Sequence, residues 1–280
     1  MKKLVCPRTR AFTLTEIMVV SAIFGLVMAG VLPFFIMNLQ IQYVAEQKLL
    51  INGDIREVTN QMVENAREAN SFVIYQAFAQ QPRWDSTAAN PVTETRDANG
   101  SGTVTLADRL QNGESGDFLV LVYYRDPYYD VRLYDGVATN NPQLSGGQVT
   151  RLVGYWVAPN RGRPGETPSV NAVYRFDTDT YKPAGATSWT TTWGATFPAT
   201  LSDSGATGTT TIEALLPPAT AAWANAAEFP LMLNNVNGLS NRYNFYNYQN
   251  KSVITRAKIV HGNRAKRVTN TYNFTITPRG

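Results

Sequence analysis

The residues of this sequence that could do catalytic or metal chemistry are few. His261 is the only histidine, and it lies in the stretch HGNR, which we expect to be a solvated turn. Asp177 and Asp179 have the spacing that opens a calcium loop, but the glycine and the closing glutamate of that loop are missing. The alternative is that these aspartates only turn the chain. The sequence has no phosphate-binding glycine loop, no HExxH motif and no pair of cysteines, so we expect no enzyme and no cofactor, with calcium at the two aspartates as the one metal candidate.

A single carboxylate, Glu16, directly precedes a long apolar run. From Ile17 to Met37 the chain has no charged residue. As a helix with a rise of ~1.5 Å per residue, this run spans the hydrocarbon core of a bilayer, which is roughly 30 Å thick. An acidic side chain in such a helix costs up to ~3 kcal/mol unless it finds water or a partner. We therefore expect Glu16 either to reach the lipid headgroups or to pair with a positive group.

The charges before the run predict how it crosses the membrane. Four basic residues and no acid precede Phe12, so by the positive-inside rule the N-terminus stays in the cytoplasm and the rest of the chain emerges on the far side. Without these four, the 25 basic residues become 21, equal to the 21 acidic ones. The net charge of +4 therefore does not by itself indicate a nucleic-acid partner. The four residues are Lys2, Lys3, Arg8 and Arg10.

The N-terminal segment resembles the leader of type IV prepilins and type II secretion pseudopilins. The resemblance rests on the basic leader, the small residue Ala11, the sequence FTLTE from Phe12 to Glu16 and the apolar helix behind it, and it covers the first 40 residues closely. It implies that a prepilin peptidase cuts between Ala11 and Phe12 and methylates the new amino group of Phe12; the usual residue before the cut is glycine. It also implies that Glu16 pairs with the α-amino group of a neighbouring subunit during filament assembly. The alternatives are a secretory signal peptide, which has a shorter apolar stretch, and a plain signal anchor, which gives Glu16 no purpose.

Two further residues of the apolar run belong to the same assembly segment. Pro33 lacks an amide proton and leaves the carbonyl group of Ala29 unpaired. Gly25 lowers the helix propensity of the stretch from Gly25 to Pro33. The resemblance implies that the helix melts locally here when the subunit packs into a fibre. An ordinary helix kink is the alternative.

Behind the apolar run the pattern becomes that of an amphipathic helix. Charged residues, Asp54 among them, are predicted on one face. We divide the chain into a basic leader (1–11), a transmembrane helix and assembly segment (12–37), an amphipathic continuation of the helix (38–75) and a β-rich globular domain (76–280). The apolar face recurs at spacings of three, four and seven: Ile41, Val44, Ile51, Ile55, Val58, Met62, Ala66 and Ala69.

Strand-like blocks separated by polar loops follow the helix. The segments 80–116 and 182–225 are rich in small polar residues and have no sustained period, which predicts long surface loops. The expected fold class is α+β, with the long N-terminal helix packed on an antiparallel sheet. Apolar and aromatic runs predict strands at 117–124, 149–159, 171–178, 251–260 and 268–277. The body resembles the larger minor pseudopilins and minor pilins of the J and W types in the second half of its helix and in two successive strands. The first of these strands carries the aromatic residues Tyr155 and Trp156, and the next ends in Tyr174–Arg175.

Residues 251–280 carry several basic side chains and no acid. In the predicted hairpin, Arg256 and Lys258 share one face of a strand, and Arg264 and Lys266 lie across the turn. Like charges this close repel each other unless a partner compensates them. We hypothesise that they contact a polyanion, such as lipid headgroups, lipopolysaccharide or DNA. The alternative is a solvated face that acids elsewhere in the fold balance.

These features together predict a structural, non-enzymatic minor pilin or pseudopilin. Its expected partners are the prepilin peptidase, other pilins or pseudopilins in a filament, an inner-membrane assembly platform and membrane lipid, with nucleic acid only at the basic hairpin. The filament is a type IV pilus or a type II secretion pseudopilus. The expected location is the inner membrane, with one span and an extracytoplasmic body, or a pilus at the cell surface. The alternative is a membrane-anchored binding protein or adhesin that does not polymerise.

Overall fold

A computed structural model of the 280-residue chain shows one long helix followed by an array of mostly short strands. The elements form two compact units, Met1–Gln47 and Lys48–Gly280. The structure describes residues 13–78, 81–83, 92–94, 96–97, 104–125, 148–159, 171–201, 210–218, 238–239, 244–263 and 266–279. The helices and strands are α1 (Leu14–Glu68), β1 (Ser71–Tyr75), β2 (Gln81–Arg83), β3 (Val92–Glu94), β4 (Ser115–Gly116), β5 (Phe118–Tyr124), β6 (Gln148–Pro159), β7 (Asn171–Asp177), β8 (Trp189–Thr190), β9 (Thr196–Phe197), β10 (Ala199–Thr200), α2 (Ile212–Leu215), β11 (Gly238–Leu239), β12 (Phe245–Tyr248), β13 (Ser252–Asn263) and β14 (Lys266–Ile276).

The described part of the first unit is the beginning of α1. Large apolar side chains are exposed along it from Leu14 to Met37. Within the described part of the chain, α1 is the one helix that is long and apolar enough to cross a membrane. The helix continues through Pro33 without a break. So much exposed apolar surface is stable only among lipids or other apolar helices, which agrees with a membrane anchor.

The second unit is built on one antiparallel sheet of ten strands. Their order is β1-β5-β6-β7-β11-β13-β12-β4, with β10 beside β6 and β14 beside β13. The longest ladders join strands that are neighbours in sequence: β5 with β6, β6 with β7, and β13 with β14. This arrangement, with the long helix before it, confirms the predicted α+β fold.

All five predicted strands are present. The helix α1 ends at Glu68, short of the predicted residue 75, because Ser71–Tyr75 form β1 and pair with β5. A further difference is at the last hairpin. Strand β13 runs on to Asn263, which pairs with Lys266 of β14. His261 therefore lies inside the strand, with only 3% of its surface exposed. The prediction that His261 lies in a solvated turn is wrong, because the ladder continues past it and its side chain belongs to the inner face of the hairpin.

The second half of α1 buries one stripe in the second unit. Asp54 was expected on the charged face, but it is only 7% exposed, so that assignment is wrong. It follows Ile51 by three residues and precedes Val58 by four, which places it on the stripe by helical spacing. Ile41 of the predicted stripe is exposed and belongs to the first unit. The buried apolar members of the stripe are Ile51, Val58, Met62, Ala66 and Ala69.

Hydrogen bonds tie this stripe to the sheet. The side-chain amide of Asn65 donates to the hydroxyl oxygen of Tyr155 in β6 at 2.5 Å, and the hydroxyl of Tyr123 in β5 donates to the carbonyl oxygen of Asn65 at 2.7 Å. Burial raises the pKa of Tyr155 to about 12, so the phenol stays neutral at physiological pH. Tyr123 and Tyr155 therefore mark the face of the sheet that packs on α1.

The opposite face of the sheet is covered by segments that were predicted to be surface loops. All seven residues of β5 are buried, and Phe118, Val120 and Val122 alternate with Tyr123 and so face away from α1. The prediction of surface loops at 80–116 and 182–225 is therefore wrong for the parts that join this second core. Apolar side chains on both faces of a strand need a layer on each side. The residues that supply the second layer include Trp189, Phe197, Leu201, Ile212, Leu215 and Leu216.

A buried ion pair lies in this second layer. The guanidinium of Arg109 donates to both carboxylate oxygens of Glu213, at 2.7 and 3.1 Å, and the hydroxyl of Tyr75 donates to Glu213 at 2.7 Å. Burial by itself would raise the pKa of Glu213, but Arg109 and Tyr75 outweigh it and hold that pKa below its usual value. The carboxylate is thus ionised, and both of its oxygens accept hydrogen bonds from these partners.

A second buried cation, Arg96, joins two segments of the same layer. Its side chain donates to the carbonyl oxygens of Phe78 at 3.0 Å and Pro217 at 3.1 Å. The guanidinium also lies over the rings of Phe78 and Phe118, 4.8 and 4.9 Å from their centroids. Burial lowers the pKa of Arg96 to about 10, which still leaves it charged at pH 7. Arg96 therefore holds the second layer against β5.

A glycine in β6 makes room for one of the core rings. Gly154 is opposite Phe176 of β7 in the ladder, and a Cβ atom at Gly154 would overlap the ring of Phe176. The ring covers the glycine and reaches Trp156, with centroids 6.1 Å apart. Packing of the second layer thus depends on the absence of a side chain at Gly154.

The buried ion pair predicts a large and pH-dependent effect of Glu213→Gln. The variant leaves Arg109 buried without its counter-ion, which we expect to lower the free energy of unfolding by about 3–5 kcal/mol at pH 7. Because the folded-state pKa of Glu213 is below its usual value of 4.5, its contribution is complete above that value and is lost as pH falls through the lowered one. The difference between wild type and variant should therefore shrink in acid.

Urea unfolding of the detergent-solubilised protein between pH 3 and pH 7 measures this effect. The matched control is Glu57→Gln on the exposed face of α1, for which we expect a change within about 0.5 kcal/mol. A Glu213→Gln protein as stable as the control would show that the pair does not hold the second layer.

Candidate functional site

The N-terminus of α1 forms a reciprocal cap between Thr13 and Glu16. The backbone N–H and the hydroxyl of Thr13 each donate to Oε2 of Glu16 at 2.9 Å, and the N–H of Glu16 donates to the hydroxyl oxygen of Thr13 at 3.3 Å. This is the capping box in which residues three apart satisfy each other's free amides. The sequence signal was the spacing T-x-x-E, which reasoning from charge alone missed.

The cap leaves part of the Glu16 carboxylate available. Both bonds from Thr13 go to Oε2, and within the described residues no group donates to Oε1. The carboxylate is exposed and lies at the positive end of the helix dipole. Glu16 is therefore held in one place by its own helix while it keeps an oxygen for a further donor.

The rest of the predicted assembly segment contains one more polar group that needs a partner. The hydroxyl of Ser21 donates to the carbonyl oxygen of Ile17 at 2.6 Å, so it is satisfied within the helix. Gly25 has open space around it, and Pro33 lies inside the continuous helix. Ala11 and Phe12 lie outside the described residues, and local melting near Pro33 in a fibre stays a prediction.

The two aspartates considered for calcium have arginine partners. The carboxylate of Asp177 accepts bonds from Arg151 at 2.9 and 2.6 Å, and from Arg175 and the N–H of Asp179. Burial would raise the pKa of Asp177, but the arginines outweigh it and hold that pKa below its usual value. Two guanidinium groups thus take the lone pairs that a cation would need, and Asp177 caps the short helix Thr178–Tyr181. Among the described residues, no group of three acidic, histidine or cysteine side chains could hold a metal ion.

The predicted basic hairpin is formed by β13 and β14. Arg256 and Lys258 are exposed on the same face of β13, opposite Asn273 and Thr271 of β14. The guanidinium of Arg256 lies 4.8 Å from the centroid of the Tyr246 ring. Arg264 and the side chain of Lys266 lie outside the described part of the structure. The structure therefore brings two of the four cations together, and their contact with a polyanion stays a prediction.

A buried contact that sequence reasoning missed joins α1 to this hairpin. The Nε2 atom of His261 lies 3.4 Å from Oδ2 of Asp54, and both side chains are nearly inaccessible to solvent. A second, exposed contact joins the same elements, with the amide of Asn270 donating to Asn52 at 3.3 Å. The helical spacing of Asp54 was the signal that could have found the first contact.

One comparison with known proteins agrees with the N-terminal geometry. Residues 6–32 match the family described as the prokaryotic N-terminal methylation motif. The match includes the proposed cleavage position and Glu16, and it supports a type IV pilin or pseudopilin family for this chain. No curated protein and no solved structure matches the chain.

The Asp54–His261 contact predicts energetic coupling between helix and hairpin. In a double-mutant cycle with Asp54→Asn and His261→Gln, we expect a coupling free energy of about 0.5–3 kcal/mol, because both groups are buried and in contact. Thermal and urea unfolding of the four proteins measure it. The cycle of Asn52→Ala and Asn270→Ala is the control on the same two elements, and there the coupling should be below about 0.5 kcal/mol because the bond is exposed. Equal coupling in both cycles would contradict the prediction.

Proposed function

We propose that this chain is a structural minor pilin or pseudopilin that a prepilin peptidase processes and that assembles through its N-terminal helix. The observation that carries the proposal is the methylation motif at residues 6–32, which leads into a helix whose apolar side chains are exposed. The motif supports a pilin or pseudopilin precursor. The minor role and the assembly are the finer part of the proposal.

The size of the second unit favours a subunit of low abundance. Lys48–Gly280 carries a sheet with a layer on both faces, and such bulk is hard to repeat at every helical step of a fibre. A position at the tip, or a role in starting assembly, avoids this packing problem. The expected partners are other pilins or pseudopilins, the peptidase and an assembly platform in the inner membrane. We propose no catalytic activity for the chain.

Glu16 is the residue that would guide assembly. In the isolated subunit its carboxylate accepts bonds from Thr13, but these neutral donors do not cancel its charge. A charge among lipids and apolar helices needs an opposite charge nearby. Cleavage before Phe12 would create a new α-amino group at the end of each subunit, and Oε1 of a neighbour's Glu16 is suited to accept from it.

The capping box makes it possible to separate the two roles of Glu16. Glutamine at this position keeps the cap, since Gln can replace Glu in the motif, but it carries no charge. We therefore expect Glu16→Gln and Glu16→Ala each to lower the amount of the chain in sheared surface filaments at least about tenfold. Quantitative blotting of filament and membrane fractions measures this.

The matched control is Glu46→Gln, which removes a charge from an exposed position of the same helix. It should leave the filament fraction unchanged. Normal assembly of the Glu16→Gln protein, with loss only in Glu16→Ala, would mean that Glu16 acts as a helix cap and not as an ion-pair partner.

Processing gives a direct chemical test of the proposal. The chain recovered from membranes should begin at Phe12 and carry one added methyl group, which intact-mass measurement and N-terminal sequencing detect. The same chain from cells without the peptidase should begin at Met1. A chain that begins at Met1 in both cells, or that is cut beyond Met37, would favour the alternative of an anchored or secreted binding protein that does not polymerise.

A further inference from the structure

Strand β14 forms an open edge of the sheet. It pairs with β13 along all 11 of its residues, from Lys266 to Ile276. In the described part of the structure no strand pairs with its other side. The opposite end of the sheet differs, because the free side of β1 is bridged at Tyr75 by Arg109. Among the described strands, β14 is therefore the long strand whose outer side has no partner strand.

The direction of the backbone groups at this edge follows from the pairing of β13. The N–H of Arg256 donates to the carbonyl oxygen of Asn244, so the even-numbered residues of β13 point away from β14. The odd-numbered residues then bond β14, and their partners in the register are even-numbered, such as Thr255 with Phe274. The backbone groups that point outward therefore belong to the odd-numbered residues Thr269, Thr271, Asn273 and Thr275.

The chain just after β14 supports this assignment. The N–H of Arg279, an odd-numbered residue, points away from β13 and donates to the carbonyl oxygen of Ala69 at 2.9 Å. Within the described residues, the outward groups from Thr269 to Thr275 have no such partner. They offer four N–H donors and four C=O acceptors in one row.

Natural proteins usually protect such an edge, and β14 lacks the usual protection. Lysine, proline, bulges or short length are the common devices. Residues 268–276 have the sequence VTNTYNFTI, which contains no charge and no proline and is rich in residues that favour strands. The ladder with β13 shows no bulge over this length. The unpaired backbone groups of an edge of this kind readily pair with another strand.

An added strand would also contact side chains of β14. Tyr272 and Phe274 point to the inner face and stack with their ring centroids 5.7 Å apart, and both are only half-buried. The contacts of Asn270 with Asn52 and of Arg279 with Ala69 show that α1 runs beneath this edge. Alternate side chains of an added strand would therefore cover the exposed parts of both rings.

Charge argues against a second copy of this chain as the added strand. Antiparallel pairing of two β14 strands would bring Lys266 and Arg267 of one copy near Arg279 of the other. Parallel pairing would set Lys266 and Arg267 beside their own copies. Residues 251–280 contain no acid that could compensate these contacts. These like charges disfavour pairing between two copies of this chain.

We propose that the open edge of β14 binds an extended strand of a different filament subunit, uncharged opposite residues 268–276 and acidic where it passes Lys266 and Arg267. The proposal rests on the assembly function proposed above. It identifies β14 as the surface through which the globular unit selects its neighbour.

Photo-cross-linking in cells tests the proposal with the full chain. p-Benzoylphenylalanine replaces Thr271 at the open edge, and in the control it replaces Thr190, an exposed threonine of β8. We expect illumination to yield one covalent adduct with the probe at 271 and none at 190. Peptide mapping should locate the cross-link in an uncharged strand of a protein that itself carries a cleaved methylation motif. An adduct with this chain's own copy, equal adducts at both positions, or no adduct in either would overturn the proposal.

Substitutions at the same position measure what the contact contributes. Thr271→Pro removes one outward N–H without removing a bond to β13, Thr271→Glu adds a charge that lies opposite Lys258, and Thr271→Ser is the matched control. We expect the Pro and Glu variants to reach the filament fraction at least about tenfold less than the Ser variant, with the melting temperature of the Glu variant no lower than that of the Ser variant.

The outcomes separate this proposal from the assembly function. A chain that is processed at Phe12 and whose Pro and Glu variants still enter filaments would overturn the β14 contact alone. A wild-type chain that keeps Met1 and stays out of filaments would overturn the assembly function and the contact with it.

Discussion

The sheet of the second unit has to be covered on both of its faces, and most of the structure serves this requirement. Strand β5 is buried along its whole length, with one set of side chains towards α1 and the other set away from it. The stripe of α1 covers the first face with few residues. The second face is covered by chain that returns from distant parts of the sequence, such as Trp189 and Ile212. Removing the sheet from water on both sides is therefore what makes the body large.

Irregular chain in a buried layer brings its own difficulty, because its backbone groups need partners. The protein solves this with buried charged side chains. Arg96 bonds two carbonyl groups that lie far apart in sequence, and the pair Arg109–Glu213 joins a turn near β1 to the short helix α2. These contacts stabilise a specific arrangement of segments that have little regular structure of their own.

The strands and the long helix could be predicted because their signals are local. Aromatic and β-branched runs mark β5, β6 and β7, and helical spacing marks the stripe on α1. The second layer could not, since its apolar residues follow no period and find their partners in distant parts of the chain. Asp54 was misplaced for a different reason: its charge outweighed its position in the pattern, and its partner His261 lies at the far end of the sequence. The Thr13–Glu16 cap was readable from the spacing T-x-x-E, but the charge of Glu16 before a membrane span indicated only lipid headgroups or a positive group as its partner.

The packing of Phe176 over Gly154 restricts how this protein can change over evolutionary time. A larger residue at position 154 has no space while the ring is present, and loss of the ring first leaves a void beside Trp156. Each single step passes through a less stable protein, so the two positions can be exchanged only together. Such a locked pair persists after most of the surrounding sequence has diverged, and it can identify distant relatives of the second unit, which the methylation motif at residues 6–32 does not cover.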